Sequence, residues 1–152
     1  MSRLLNISTG AAVTVDYSVE YPPKDDYPCG VGEAPISNPV TVVIPAGGSA
    51  FQVMETAVNT FGSQYRFTAT YFGSLFGFLI DAINGVPCAV TQLPPSVCYW
   101  EFYIKFPNGT VTSSSVGVSK YTFNSDGYGM IMRYHDSSHN SVSELSKFKE
   151  GL

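Results

Sequence analysis

The sequence predicts an α+β fold dominated by β-strands, in which a β-grasp-like mixed sheet carries one main helix. Aromatic residues make up 14% of the 152 residues and charged residues only 13%, a composition typical of sheets and turns. Several segments alternate apolar and polar residues with a period of two, whereas a strong helical period occurs once before the C-terminal tail. The order strand, strand, helix and then several strands is typical of a β-grasp-like fold, and the length suits one domain.

The first two strands flank a long connection. Residues 13–21 alternate strictly between apolar and polar side chains and are predicted to form a half-buried strand. Pro22-Pro23 ends it, and the Pro- and Gly-containing residues 24–39 are predicted to connect without regular structure. Residues 40–44 form a short β-branched run, which is typical of a central strand.

One amphipathic helix is predicted over residues 50–61. Its apolar residues fall on one face at helical spacing, and its polar residues fall on the other. Ser49 is placed to cap the first turn, and Gly62 is a natural stop. A single helix of this kind needs a sheet to cover.

The remaining strands follow the helix. Alternation predicts them at residues 65–71, 78–80, 99–106 and 128–134, with one or two short strands between 111 and 123. Asn84-Gly85 and Pro107-Asn108-Gly109 are turn signals between them. The strands at 13–21, 40–44, 65–71, 99–106 and 128–134 are expected to share one sheet under the helix.

The chain divides into a domain and two ends. Residues 1–12 are predicted to be an N-terminal extension, residues 13–135 the domain, and residues 136–152 a linker with a helical tail. A Ser141-x-x-Glu144 capping box precedes a narrow apolar stripe in that tail. A helix this short is marginal alone, so it is expected to dock on its own domain or on a partner.

The net charge bears on the partners, and the targeting signals point in two directions: the N-terminus taken literally is a cytosolic start, and the sequons favour an extracellular protein. The net charge is −4 with no basic run, so nucleic acid and anionic membranes are poor partners, and no apolar run approaches a bilayer span. The chain from Met1 lacks the apolar stretch of a signal peptide, yet sequons at Asn6 and Asn108 are predicted glycosylation sites. We expect that a signal peptide was removed and that Met1 is a processing start.

Three cysteines leave an odd count. Cys88 and Cys98 flank a loop and lie ten positions apart, a spacing that suits a disulfide worth somewhat under about 3 kcal/mol. Two buried free thiols are the alternative. Cys29 is then left over, and three fates stay open: pairing with another chain, a free thiol, or competition for one of the other two.

The sequence predicts neither an enzyme nor a metal or cofactor site. Residues 135–137 contain the types of a catalytic triad, but adjacent positions cannot assemble its geometry. His135 and His139 lie four apart with no third ligand placed to complete a metal site. Residues 47–49 precede the helix but lack the Lys and the spacing of a phosphate-binding loop.

The strand at 99–106 is the most aromatic part of the chain. Trp100 is the single tryptophan, and Tyr99, Phe102 and Tyr103 make the strand aromatic on both faces. Both faces must therefore be covered. Two alternatives remain open: core packing within the domain, or contact with a flat apolar ligand.

Five ordered motifs carry a resemblance to a known family: Tyr71-Phe72-Gly73, Ile83-Asn84-Gly85, Tyr99-Trp100-Glu101-Phe102, Gly117-Val118 with Tyr121, and Arg133-Tyr134. Together they resemble the C-terminal β domain of the transcobalamin and intrinsic factor family over residues 13–134. The resemblance implies an extracellular, non-catalytic domain that binds a corrinoid or another flat small ligand, and an oxidising compartment for the Cys88 to Cys98 pair. Full-length family members add a helical domain over the other face of cobalamin, and these residues contain no such segment.

The resemblance also implies the ligand contacts. Residues 78–84 are similar to a family stretch that offers two small hydroxyl side chains to the corrin amide arms, and Asp81 and Ala82 occupy those positions. A carboxylate accepts hydrogen bonds but cannot donate them. Gly117-Val118 matches a loop whose backbone approaches the ligand, with a plain bulge as the alternative, and Glu101 replaces a family Gln. The implied contact residues are Phe72, Asp81, Asn84, Trp100, Phe102, Gly117 and Val118.

A second function class stays open. The chain is also suited to be a structural or interaction module of an extracellular assembly, in which exposed aromatics, the 24–39 loop with Cys29 and the tail helix make the contacts.

Overall fold

The structure, a computed structural model, describes residues 11–21, 39–87 and 98–136. The strands of these residues are β1 (Ala12–Glu20), β2 (Val40–Pro45), β3 (Gly48–Ser49), β4 (Phe67–Tyr71), β5 (Phe78–Ile83), β6 (Val86–Pro87), β7 (Cys98–Lys105), β8 (Val111–Ser113), β9 (Thr122–Phe123) and β10 (Tyr128–Asp136). The helices are α1 (Ala50–Phe61) and α2 (Gly73–Phe76). The predicted α+β class, dominated by strands, is confirmed.

A five-stranded mixed sheet forms the centre of the domain. Its order is β2-β1-β10-β7-β8, with β1 and β10 parallel and the other neighbours antiparallel. The apolar positions of β1 are buried and its polar positions are mostly exposed, as the period of two predicts. Its buried face joins the core that also contains the buried side of α1.

Helix α1 occupies the predicted range. Ser49 has an extended backbone, and its Oγ accepts the amide of Gln52 at 3.1 Å, which caps the first turn. Gly62 follows the last helical residue with φ 105°. The capping Ser and the following Gly are the two local signals that set these ends.

Strand β4 does not belong to the main sheet, so that part of the prediction is wrong. It pairs with β5, which pairs with β6, in a separate three-stranded sheet. Tyr65, predicted as the first strand residue, ends a 3-10 turn instead and is buried, with its ring 5.9 Å from that of Tyr17. Alternation identifies a strand but not its partner, because any neighbouring strand can complete its ladder.

The segment between β4 and β5 is a single helical turn, α2. The amide of Gly77 donates to the carbonyl of Gly73 at 2.7 Å, and Gly77 then leaves the helix with φ 69°. This turn joins β4 to β5 and forms the tip of their hairpin.

Several predictions lie outside the described residues. These are the sequon at Asn6, most of the 24–39 loop with Cys29, Cys88, and the tail beyond Asp136. Cys98 begins β7, but its side chain is not described, so the disulfide stays a prediction. Among the described residues, no helix has the length and apolar character needed to cross a bilayer.

Tyr17 carries a buried hydroxyl that has no hydrogen-bond partner among the described residues. Burial first, and then the neighbouring Tyr21 and Tyr65, raises the pKa of Tyr17, because the phenolate would be unsolvated. A buried hydroxyl without a partner costs free energy that an isosteric apolar ring does not.

Tyr17→Phe is therefore expected to raise the free energy of unfolding by about 1 kcal/mol, measured by urea unfolding. Tyr103→Phe is the matched control, since its hydroxyl donates to Glu101 at 2.7 Å and its removal should lower stability by a similar amount. Equal losses in the two variants would show that the Tyr17 hydroxyl is satisfied.

Candidate functional site

The tip of the β4–β5 hairpin exposes a group of apolar side chains, here called the tip surface. Its residues are Tyr71, Phe72 and Leu75, with exposed fractions of 58%, 39% and 78%. Apolar side chains exposed next to one another mark ligand or protein contact surfaces, whereas a single one carries no such meaning. Phe72 is the one member that the sequence had singled out for binding.

A row of packed rings supports the tip surface from below. Phe51 of α1 stacks on Phe78 with ring centroids 4.6 Å apart and meets Phe67 edge-on at 5.4 Å. Tyr71 continues the row, with its ring 5.1 Å from that of Phe78. The row leads from the core to the surface, so Tyr71 is held in place although most of it is exposed.

The turn at residues 117–120 lies against the same tip. The hydroxyl of Ser119 accepts the amide of Phe78 at 3.1 Å, and Lys120 Nζ donates to the carbonyl of Ser74. A side chain at Gly77 would clash with Ser119 Oγ. The structure therefore joins the hairpin tip to the 117–120 turn, although about forty residues separate them in the chain.

Val118 serves the fold rather than the surface. Its side chain is only 3% exposed, and its carbonyl accepts the amide of Phe51 at 2.9 Å, which satisfies an open amide at the start of α1. Gly117 is half-buried, and its carbonyl accepts the amide of Lys120 at 3.0 Å. The apolar side chain that this loop exposes is Val116, at 43%.

Trp100 and Phe102 lie in the core, with exposed fractions of 6% and 7%. The indole Nε1 of Trp100 donates to the carbonyl of Val86 at 3.3 Å, and Tyr21 and Tyr134 meet its ring edge-on. These contacts agree with the core-packing alternative. As ligand contacts, both side chains stay predictions with little surface to offer.

Asp81 and Asn84 lie on the β4–β5 hairpin side of the domain, away from the hairpin tip. Asp81 is the extra residue of a β-bulge, and its carboxylate accepts the hydroxyl of Thr70 at 2.6 Å. Asn84, with φ 50°, accepts from the guanidinium of Arg66 at 2.7 Å. Strand β5 spans about 17 Å, so Asn84 lies at the other end of this strand from the tip.

The opposite face of β7 is a polar and aromatic layer. Glu101 accepts the hydroxyls of Tyr103 and Ser113 at 2.7 and 2.9 Å, and the Arg133 guanidinium lies over the Tyr103 ring at 4.3 Å. Burial, and then Glu101 and Tyr103, raises the pKa of Tyr99 to about 12. This layer accounts for Glu101 and for the aromatic residues on the second face of the strand.

Two depressions in the described surface are small. One, of about 120 Å³, is lined by residues 121–125 and Tyr128. The other, of about 260 Å³, lies between α1 and β4 and is lined by Glu55, Val58, Asn59, Arg66 and Phe67. Both are below the roughly 300–1,000 Å³ of typical small-molecule pockets, so neither could enclose a macrocycle.

The described residues also contain no group of three or more His, Cys, Asp or Glu side chains that could hold a metal ion. His135 Nδ1 lies 3.9 Å from Glu101 Oε1, and its ring packs 5.0 Å from that of Tyr99. This histidine is part of the polar layer on β7 and β10.

Sequence reasoning missed three surface residues: Tyr71, Leu75 and Val116. A weak signal was present, since Leu75 is apolar inside a turn bracketed by glycines, and Val116 follows a run of serines. Apolar residues in turns have little core within reach and are therefore candidates for exposure.

Comparison with known proteins finds similarity among solved structures. No protein-family model and no curated protein matches the chain. Among solved structures, haptocorrin in complex with Cbi is similar, with a TM-score of 0.59 and 20% identity over 86% of this chain. The match covers 26% of the haptocorrin chain, so this chain spans about a quarter of that protein. The sequence resemblance is thereby supported at the level of the fold.

Proposed function

We propose that this domain binds a corrinoid or another flat small ligand on its tip surface and performs no chemistry on it. The observation that carries the proposal is the exposed, ring-supported apolar group at the hairpin tip, joined to the 117–120 turn. The fold likeness to haptocorrin, whose crystal structure contains Cbi, supports the ligand class.

The tip surface combines apolar and polar contacts. Tyr71, Phe72 and Leu75 supply flat and aliphatic area, which suits the face of a macrocycle. Lys120 uses one of its three N–H groups on the Ser74 carbonyl and has two others to offer to ligand carbonyls. Asp81 and Asn84 are not needed for this arrangement.

A site of this shape should bind with modest affinity. An open surface covers one side of a flat ligand, whereas enclosed pockets bury 70–90% of the surface of a small ligand. Trp100 and Phe102 would then contribute indirectly, because they stabilise the core against which the β4–β5 hairpin packs.

Tyr71→Ala tests the site directly. Loss of this supported aromatic contact should raise the dissociation constant about thirtyfold, about 2 kcal/mol, in a visible-absorption titration with cobinamide and with cobalamin. Because 58% of Tyr71 is exposed, the melting temperature should change little.

Val111→Ala is the matched control, since Val111 is an exposed apolar residue of β8 with an exposed fraction of 40%. It should leave binding unchanged. A wild-type protein that shows no spectral shift and no heat with either corrinoid at high micromolar concentration would eliminate the corrinoid. The absorption spectrum of the natively purified protein gives an independent reading, since a bound corrinoid is coloured.

The second candidate is an interaction module of an extracellular assembly, and the 78% exposure of Leu75 is the observation that favours it. Leu75 extends the exposed apolar group of the tip surface, and groups of this kind also mark protein contacts. Leu75→Ser should then release a co-purifying partner without changing the melt. The loop with Cys29 and the C-terminal tail are further proposed contacts of this function.

Secretion is part of the proposal and rests in addition on Asn108. This residue lies in the exposed turn between β7 and β8, where its Oδ1 accepts the amide of Thr110 at 2.9 Å. A glycan there would project into solvent. In protein secreted from eukaryotic cells, the glycan should add mass that a glycosidase removes. Asn108→Gln and Thr110→Val should each abolish this mass increment. Retention of that increment in both variants would contradict the assignment.

A further inference from the structure

Strand β2 forms one edge of the five-stranded sheet, and prolines protect its free side only at the two ends of the strand, at Pro39 and Pro45. Among the described residues, no strand pairs with that side. The strand Val40–Pro45 contains no charged residue, and Val43 is 57% exposed on the face away from the core. Protein edges are normally blunted by charge, by proline within the strand, by a bulge or by short length.

Hydrogen bonds around β1 show which backbone groups of β2 point outwards. The amide of Thr14 donates to Asp126 Oδ1 at 2.8 Å, and the Asp16 carbonyl faces Gly129 of β10, so the even residues of β1 face β10. The amide of Ala46 donates to the carbonyl of Ala11 at 2.9 Å, so the odd residues of β1 face β2.

The register carries this alternation into β2. Val42 pairs with Val15 and Ile44 with Val13, so these two residues exchange backbone hydrogen bonds with β1. Thr41 and Val43 lie between such pairs, and their N–H and C=O groups therefore point away from β1, to the free edge. Pro39 and Pro45, which lack an amide hydrogen, frame this donor-bearing segment with Val42 at its middle.

The other edges are protected. Strand β8, at the far side of the same sheet, has only three residues. Strand β4, at the edge of the second sheet, has five residues, and the β-bulge that Asp81 of β5 forms against it distorts its ladder. Short strands and bulges are the devices that prevent edge pairing. They are absent from β2.

We infer that β2 is a self-association edge, which pairs antiparallel with β2 of a second copy of this chain about a two-fold axis at Val42. Thr41 of each copy then lies opposite Val43 of the other. Each of these two pairs exchanges two backbone hydrogen bonds, which makes four in all. The same surface serves both copies, as a two-fold interface requires. The two sheets become one continuous sheet.

The side chains of the paired edges are compatible. Val43 of one copy lies beside Thr41 of the other on the exposed face, a β-branched pair of the kind that stabilises neighbouring strands. No like charges oppose each other, since neither strand carries one. The contact area of one six-residue strand pair is small, so the dimer is weak and forms at high protein concentration.

Sedimentation of the purified chain tests this inference at about 10 μM to 1 mM, the range suited to a small interface. The wild type should shift from monomer to dimer across this range. Val43→Pro should abolish the shift, because it removes an outward N–H and no bond to β1. A wild type that is monomeric throughout would overturn the inference.

Charged substitutions at residue 43 provide a second test of the dimer in case the proline variant does not fold. In the paired edges, residue 43 of one copy lies diagonally across from residue 43 of the other on the exposed face, roughly 7–8 Å away. Val43→Asp and Val43→Lys should each weaken the dimer about tenfold or more, because either places two like charges on neighbouring positions of the paired strands. Val111→Asp, on the short β8 edge, should leave it unchanged. Equal weakening by all three variants would also overturn the inference.

Discussion

Trp100→Ala is expected to lower the free energy of unfolding by about 3–5 kcal/mol, the range found when a large core ring is truncated. The indole is 6% exposed and lies between Tyr21 and Tyr134, with centroid distances of 5.7 and 5.5 Å. Its loss leaves a cavity and also frees the carbonyl of Val86. Urea unfolding followed by circular dichroism measures the effect, since the variant has no tryptophan left to report by fluorescence.

Trp100→Phe separates packing from the hydrogen bond. It keeps a ring in the core and should lose on the order of 1–2 kcal/mol. If Trp100→Ala melts like the wild type but binds ligand far more weakly, the indole contacts the ligand and the core-packing interpretation fails. A loss of stability without a loss of affinity in the folded fraction would support the tip surface as the site.

Gly77→Ala is expected to lower the free energy of unfolding by about 2–4 kcal/mol. Gly77 has φ 69° and ψ −142°, a region that is essentially restricted to glycine and costs other residues about 1–3 kcal/mol. An added Cβ would also push Ser119 away, which breaks the bond from the Phe78 amide and costs roughly 1 kcal/mol more. Because that bond joins the hairpin tip to the 117–120 turn, ligand affinity should fall as well.

Gly73→Ala provides the matched control. Gly73 has φ 90°, but a Cβ there would meet nothing within 4 Å, so the variant carries backbone strain without a collision. Adding Ser119→Ala to Gly77→Ala should recover part of the loss, and a double-mutant cycle measures that coupling. Equal losses at the two glycines with no recovery would show that strain alone acts and that Ser119 does not hold the tip.

Local signals in the sequence were sufficient for the elements whose causes are local. Ser49 and Gly62 mark the ends of α1, because capping and helix termination involve only neighbouring residues. The alternation in residues 13–19 likewise predicts β1 and its buried face, because successive side chains of a strand point to opposite sides.

The pairing of strands and the exposure of side chains depend on residues that are distant in the chain, so local signals did not predict them. Residues 67–71 alternate like a main-sheet strand, yet β4 pairs with β5, since the choice depends on which partner the rest of the fold leaves available. Trp100 was compatible with core or ligand, and its burial between the rings of Tyr21 and Tyr134 agrees with core packing. Val118 was predicted as a ligand contact, but its carbonyl accepts the amide of Phe51 at the start of α1.

The sequence by itself determined the strand-rich class, the single capped helix and the absence of a charge pattern suited to nucleic acid, because composition and short-range periodicity carry that information. Only the tertiary structure decided that Tyr71, Phe72 and Leu75 are exposed on a ring-supported tip beside the 117–120 turn, and that no strand of the described residues pairs with the outer side of β2. Exposure and pairing are properties of what packs against a residue, and residues distant in the chain supply those contacts.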